Sequence, residues 1–337
     1  MTKKRILTGD RPTLDKFHLG NYIGSLENRV RLQDKYESFI MLADLHALTT
    51  HFDRAKEIKN NIKSLMLDYL SVGLDPQKVT FFVQSQVPEI PQIAYLLSTI
   101  TPRPVIARQP VLKEKLDQGE QDTVALFYYP VLMAADILAI RGDLVPVGKD
   151  QKAHVEFARD IAQKFNEMFG EAFVVPEVLI GDVPTLPGTD GKAKMSKSLG
   201  NAIYLSDSPK TVREKVMGMY TDPKRIHSTD PGTVEGNPVF VYLDAFSKDL
   251  PAGKAGQESE RVEEYKRKYR EGRIGDIEVK EYLAGVLNGF LDPIRKRRKE
   301  FEKKPRLLEE ILEKGSKRAR EEAKKTLERV KRAMGLI

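Results

Sequence analysis

Between residues 6 and 83, short apolar runs alternate with helical stretches, and this alternation restricts the fold more than any other feature of the chain. Phe39-Ile40-Met41-Leu42-Ala43 is apolar without a break, as expected of a strand covered on both faces of a parallel sheet. Ile6-Leu7-Thr8 and Val79 to Val83 read as two further strands. Between them, Ala55, Ile58, Ile62, Leu65, Met66, Tyr69 and Leu70 recur at spacings of three and four, the stripe of an amphipathic helix. Gly73 ends that helix and Pro76 bars its continuation. Gly9 to Gly20 reads as a loop and Asn21 to Leu32 as a second helix. Strands alternating with helices predict an α/β, doubly wound parallel-sheet (Rossmann-like) domain.

Residues 90–140 read as mainly helical, broken by Pro102, Pro104, Pro110 and Pro130. Leu144-Val-Pro-Val147 is a short strand whose proline suggests a strand end or a sheet edge. A helix follows through about Phe169, then a loop rich in Gly and Pro over 181–201 around a lysine cluster. From about 205 onward only helical patterns are found. The division expected is 1–205 for the sheet domain, with a helical insertion at 90–140, and 206–337 for an all-helical region. One C-terminal helix is free to pack back on the first domain.

Composition narrows the class. The 337 residues are 40% hydrophobic and 31% charged, which excludes disordered, collagen-like and fibrous chains. No apolar run approaches the ~18–20 residues of a membrane span. Met1-Thr-Lys-Lys-Arg runs straight into a strand with no apolar segment behind it. The absence of cysteine removes disulfides and thiolate metal sites, and a cytoplasmic location is expected. Residues 291–337 hold 17 basic and 9 acidic side chains, whereas the rest of the chain is nearly neutral. A basic tail on a neutral body suits a nucleic-acid partner, and it suits a solvated Lys/Glu-rich helix equally well.

Two segments carry recognisable chemistry. Phe17-His18-Leu19-Gly20-Asn21-Tyr22 lies in the first strand-to-helix turn, where a doubly wound sheet places a nucleotide. Gly20 lets backbone approach a phosphate, and His18 and Asn21 supply donors beside a helix N-terminus. Arg11, Pro12 and Thr13 share the same turn. A whole domain later, Lys194-Met195-Ser196-Lys197-Ser198 places two ammonium groups three residues apart on a flexible loop. These can meet charge that grows on a leaving pyrophosphate. Asp136 stands in the apolar run Tyr129-Pro130-Val131-Leu132-Met133-Ala134-Ala135-Asp136-Ile137-Leu138. One acceptor in an apolar pocket suits an apolar ligand with a single polar hydrogen. Capping or salt-bridging of a helix is the alternative for that carboxylate.

Together these segments resemble the two signature motifs of the class I aminoacyl-tRNA synthetases, usually His-Ile-Gly-His and Lys-Met-Ser-Lys-Ser. The second is matched letter for letter. Asn21 in place of the second histidine, and Met133-Ala-Ala-Asp136, resemble the tryptophanyl branch; tyrosyl enzymes typically carry Gln-Ala-Tyr-Asp there. The resemblance extends to Val145-Pro-Val-Gly148-Lys149-Asp150-Gln151 and to the tail elements Tyr220-Thr-Asp-Pro223, Val234-Glu-Gly-Asn-Pro238 and Leu243-Asp-Ala-Phe246, which look like a helical anticodon-binding part. Two departures stand out: Lys149 where the family usually has Glu, and Leu14-Asp15 where a glycine is common.

The resemblance implies an ATP site made by Arg11, Pro12, Thr13, Gly20, Asn21, Lys115, Gly148, Lys149, Asp150, Leu186, Lys194, Met195, Ser196, Lys197 and Ser198. It implies an L-tryptophan site made by Asp136, Met133, Tyr129, Gln151 and His46, with a packed or surface role as the alternative for His46. His18, Asn21, Lys194 and Lys197 would stabilise the transition state. ATP with Mg2+ on its triphosphate, tRNA(Trp) and a homodimer are the implied cofactor and partners, with no membrane and no dedicated protein metal cage. The reaction implied is formation of tryptophanyl-adenylate and transfer to tRNA. The rivals are a tyrosyl-tRNA synthetase, a related nucleotidyl-transferring enzyme of the pantothenate synthetase type, and an RNA-binding relative without catalysis.

Overall fold

The computed structural model describes residues 3–148, 152–180, 185–197, 199–223, 225–247 and 255–337. Lys149, Asp150, Gln151 and Ser198 lie outside these. Strand β1 (Arg5–Asp10) leads through helix α1 (Leu19–Asn21), a π-helical turn (Tyr22–Leu26) and α2 (Glu27–Leu32) to β2 (Glu37–Leu42). Helices α3 (Asp44–His51) and α4 (Ala55–Ser71) connect β2 to β3 (Val79–Val83). Then come α5 (Glu89–Ser98), α6 (Arg103–Ala107), α7 (Pro110–Asp117), α8 (Val124–Ala139), β4 (Leu144–Val147), α9 (Lys152–Phe169) and β5 (Glu177–Ile180). The remaining regular elements among the described residues are helices: α10 (Pro209–Met217), α11 (Pro238–Phe246), α12 (Ala255–Arg270), α13 (Asp276–Glu302) and α14 (Pro305–Ala333).

The five strands form one parallel sheet in the order β3-β2-β1-β4-β5. The chain winds outward from β1 to β3, then returns to place β4 on the other side of β1. The crevice beyond the carboxyl ends of β1 and β4 is therefore the switch point at which such sheets bind ligands. Phe39, Ile40, Leu42, Phe81 and Phe82 are essentially inaccessible to solvent, because helices cover both faces of the sheet.

Two features differ from what the sequence suggests, and a third decides between alternatives that it leaves open. The helix expected to start at Asn21 starts at Leu19 with His18 as its N-cap, and its second segment is a π turn. That turn widens the helix where Gly24 and Ser25 reach the crevice. Pro130 does not break the chain into two helices but lies inside α8, whose packing against α5 and α9 overrides local propensity. Pro146 marks a strand end and not an edge. Strand β4 is interior, and its register with β1 is confined to Ile6–Leu144, so Pro146 is paired only on the β5 side.

Helix α14 closes the exposed side of β3. Ser316 Oγ accepts from the Val83 N–H at 3.1 Å, and Arg318 donates to Thr80 Oγ1 at 2.8 Å. Gly315 permits the approach, since a Cβ there would lie 1.8 Å from the Phe81 carbonyl oxygen. Ala319, Ala323, Leu327 and Val330 join the core that contains Phe39, Phe82 and Ile137. The apolar stripe of the basic tail is thus spent on an otherwise open sheet edge, while Lys314, Lys317 and Lys324 face solvent.

Candidate active site

A cavity of about 570 Å³ opens at the switch point. Its floor is the carboxyl end of β1 (Leu7 to Asp10, then Arg11) and of β4 (Val145 to Gly148), and α8 forms one wall through Tyr129, Met133, Asp136 and Ile137. Of the residues read from the sequence, Arg11, His46, Lys115, Tyr129, Met133, Asp136 and Gly148 line it together.

The α8 wall ends in a buried polar cluster. Asp136 is 1% exposed; its Oδ2 lies 2.8 Å from His46 Nε2, and its Oδ1 accepts from Gln84 Nε2 at 2.7 Å. Gln84 Oε1 in turn accepts from the His46 backbone N–H at 3.3 Å, so the three residues form a closed ring. Burial raises the Asp136 carboxyl above the ordinary range, and the His46 and Gln84 hydrogen bonds oppose that rise. A carboxylate has about four lone-pair sites. Two are used, which leaves capacity for a further donor from the cavity. His46 is thus a buried side chain hydrogen-bonded to Asp136 and not a surface group. The Tyr129 ring sits edge-on at 6.2 Å from the His46 ring. Its hydroxyl is buried with no hydrogen-bond partner among the described residues, and burial raises its pKa. Gln84 escaped the sequence reading; its only signal is a polar side chain at the carboxyl end of an apolar strand.

The signature turn is built by reciprocal capping. His18 Nδ1 accepts from the Asn21 N–H at 3.2 Å, and Asn21 Oδ1 accepts from the His18 N–H at 3.0 Å. With Nδ1 acting as acceptor, the proton of a neutral imidazole resides on Nε2, and the Asn21 amide keeps its NH2 free to donate. Burial lowers the His18 pKa to about 4, so the ring is a neutral donor near pH 7. At Gly20 a Cβ would meet the His18 ring at 3.0 Å.

The lysine loop is anchored to this turn although 175 residues separate them. Leu19 N–H donates to Ile203 O, and Leu205 N–H to Phe17 O, both at 2.9 Å. Gly20 N–H points at Met195 Sδ at 3.3 Å. Met195 and Leu186 are buried in one core cluster with Phe17 and Leu19, so Leu186 lies in the packing beneath the loop. Asn201, which follows the lysine motif without belonging to it, organises the loop. Its Oδ1 accepts from the Ser196 N–H at 2.8 Å, and its Nδ2 donates to Asp190 at 3.2 Å. Lys194 is exposed, and Lys197 Nζ donates to Asp15 Oδ1 at 2.7 Å. Asp15 belongs to the segment that departs from the family pattern. The hydrogen bond from Lys197 lowers its carboxyl pKa against the opposing effect of partial burial.

Asn61 holds the Arg11–Thr13 turn by donating to Pro12 O at 2.9 Å, and the Thr13 N–H donates to Arg11 O at 2.7 Å. Arg11 thereby faces the cavity across from Lys115, whose ammonium pKa is lowered by burial and then by the Arg11 charge. Arg11, Arg29 and Lys115 bring cations to the cavity beside the carboxylates of Asp10 and Glu114, and the α8 wall is apolar around the Asp136 cluster. The cavity can take an elongated ligand with an anionic group at one end and an N–H-bearing apolar group at the other.

The chain matches the family described as tRNA synthetases class I (W and Y) over residues 2–292. It is 49% identical over 336 residues to the tryptophan–tRNA ligase of Treponema pallidum, covering 98% of this chain and 97% of that protein. It is 46% identical to the tryptophan–tRNA ligase of Clostridium longisporum, over 100% of this chain and 98% of that one. Its fold superposes with a TM-score of 0.86, at 36% identity, on the crystal structure of the Campylobacter jejuni tryptophanyl-tRNA synthetase complexed with ADP and tryptophan. That likeness covers 98% of this chain and 99% of the other.

Proposed function

This chain belongs to the tryptophan and tyrosine group of class I tRNA synthetases, and from that membership we propose that it activates L-tryptophan with ATP and transfers it to tRNA(Trp). The observation that carries the substrate is the buried carboxylate of Asp136, held by His46 and Gln84 within the apolar wall formed by Met133 and Ile137. An indole N–H fills its remaining acceptor capacity. A phenylalanine side chain leaves that acceptor unpaired, at a cost of ~1–3 kcal/mol. Tyr129, whose buried hydroxyl has no partner among the described residues, receives the ammonium end of the amino acid.

In the first step the tryptophan carboxylate oxygen attacks the α-phosphorus of ATP and the bond to the bridging oxygen breaks, releasing pyrophosphate. This in-line displacement needs positioning and charge stabilisation rather than a general base. His18 Nε2–H and the Asn21 amide steady the phosphates, Arg11 and Lys115 face them across the cavity, and Lys194 and Lys197 take the charge of the leaving group. Mg2+, if carried by the triphosphate, would neutralise part of that charge. Among the described residues no three His, Asp or Glu side chains converge as a cage for it. In the second step a hydroxyl of the terminal tRNA ribose attacks the aminoacyl carbonyl and AMP leaves.

Binding of tRNA draws on the exposed lysines of α14 and on the helical region, and its strength falls with salt as phosphate neutralisation requires. No helix among the described residues is long and apolar enough to cross a membrane. A homodimer fits the exposed apolar side chains on the packed pair α5 and α8, where Tyr95 is 67% and Val124 86% exposed. ATP–pyrophosphate exchange with each amino acid tests the activation step. Charging by a Lys314→Glu/Lys317→Glu variant tests the α14 surface: exchange is retained and the KM for tRNA rises.

A further inference from the structure

Asp68 on α4 is fully buried and takes no part in the chemistry above. Its Oδ2 accepts from the Phe17 backbone N–H at 2.9 Å, one residue before His18. Its Oδ1 is ion-paired with the Arg298 guanidinium of α13. Arg298 also donates to Ser64 Oγ at 3.1 Å and pairs with Glu302 at 3.1 Å. Its neighbour Arg297 donates to Ser71 O at 2.6 Å. The C-terminal turns of α13 are thus bolted to α4, and one bolt reaches through to the signature turn.

Stability alone does not account for this arrangement, because a buried ion pair is often no better than well-packed apolar side chains of the same volume. What it supplies is geometry. The Phe17 peptide is gripped from one side by Leu205 N–H, which donates to its carbonyl, and from the other by Asp68. The Phe17 ring lies 5.2 Å from that of Tyr69, the next residue along α4. The backbone on which His18 is mounted is therefore clamped between the segment that follows the lysine loop and a carboxylate whose own position is set by α13.

We propose that Asp68 is a positioning residue for adenylate formation, holding the Phe17–His18 backbone in place and, through Arg298, making the position of His18 depend on the seating of α13. This rests on the activation reaction proposed above. The test uses full-length Asp68→Asn, Arg298→Met, Arg298→Lys and the double variant Asp68→Asn/Arg298→Met. Each is followed by thermal unfolding, by the kcat and KM of ATP–pyrophosphate exchange, and by hydrogen exchange of the peptide spanning residues 15–21.

Arg298→Met leaves the buried Asp68 carboxylate without its cation, and Asp68→Asn leaves the Arg298 guanidinium with the half-exposed Glu302 alone, so both variants lose stability. The double variant removes both partners of the buried pair, and its thermal midpoint returns toward that of the parent. Its kcat stays at least tenfold low with the KM for tryptophan within twofold, and its 15–21 peptide exchanges faster than in the parent. Arg298→Lys restores most of the kcat. A double variant with parental kcat and parental hydrogen exchange overturns the proposal, as does a kcat that follows the thermal midpoint through the whole series. A parent chain that exchanges pyrophosphate with no amino acid refutes the proposed activity instead. In that case the hydrogen-exchange comparison still decides whether Arg298 holds the turn.

Discussion

His46 Nε2 lies 2.8 Å from Asp136 Oδ2, joining the helix after β2 to the helix before β4 across the floor of the cavity. The two residues are 90 positions apart, and Gln84 closes the ring between them. The carboxylate is therefore oriented from two sides and free to accept a third donor.

Asp136→Asn presents an amide where a carboxylate stood. Loss of a charged acceptor for the indole N–H costs about 1.5–3 kcal/mol, so the Kd for tryptophan rises roughly 10- to 100-fold. The chain contains no tryptophan, so the fluorescence of the ligand can be titrated without tryptophan background from the protein. An unchanged Kd would remove the acceptor role.

Removing the His46 ring changes pH dependence as well as affinity. Burial raises the Asp136 carboxyl, and the neighbouring Asp44 charge adds to the rise. The His46 and Gln84 hydrogen bonds hold it down. In His46→Leu the pKa climbs further, the protonated acid becomes a donor, and tryptophan binding weakens as pH falls. The acid limb of the Kd–pH curve therefore moves to higher pH than in the parent; identical curves would show that His46 does not tune the acid.

Lys197→Ala lowers the exchange rate by about 10²–10³, the usual cost of losing one transition-state charge contact, with the Kd for tryptophan unchanged. Asp15→Asn acts in the opposite direction. Its pair with Lys197 is half-exposed, a setting worth at most about 1 kcal/mol. The KM for ATP falls a few-fold at low salt, and less at high salt. An increase in that KM would mean that Asp15 orients the lysine instead of competing for it.

His18 is neutral when folded because burial lowers its pKa from 6.5 to about 4. Below pH 6.5 the unfolded chain takes up a proton that the folded chain refuses. The stability contributed by this residue is therefore complete above pH 6.5 and is lost as pH falls toward 4. Denaturant unfolding should show the parent losing stability relative to His18→Gln across that window and keeping a constant difference above it.

The sheet core was legible because its signal is local. Phe39 to Ala43 has no polar residue to place on a solvent face, and Val79 to Val83 is bounded by turns. Strand β5 was not seen, since Glu177-Val-Leu-Ile180 is four residues long and opens on a charge. At the site, motif residues announced themselves by type and spacing, whereas Gln84, Asn201 and Asp68 did not. Gln84 and Asp68 are single polar residues whose partners lie elsewhere in the chain, Arg298 being 230 positions from Asp68, and Asn201 acts only once its own loop has folded onto Ser196 and Asp190. The departure at Leu14-Asp15 was visible, but only the fold shows that Asp15 meets Lys197.

The most direct test is ATP–pyrophosphate exchange by the unmodified chain across the twenty amino acids. Tryptophan should support rapid exchange, with tyrosine and phenylalanine slower by at least two orders of magnitude. Exchange driven by tyrosine at a rate equal to or above that with tryptophan would contradict the account.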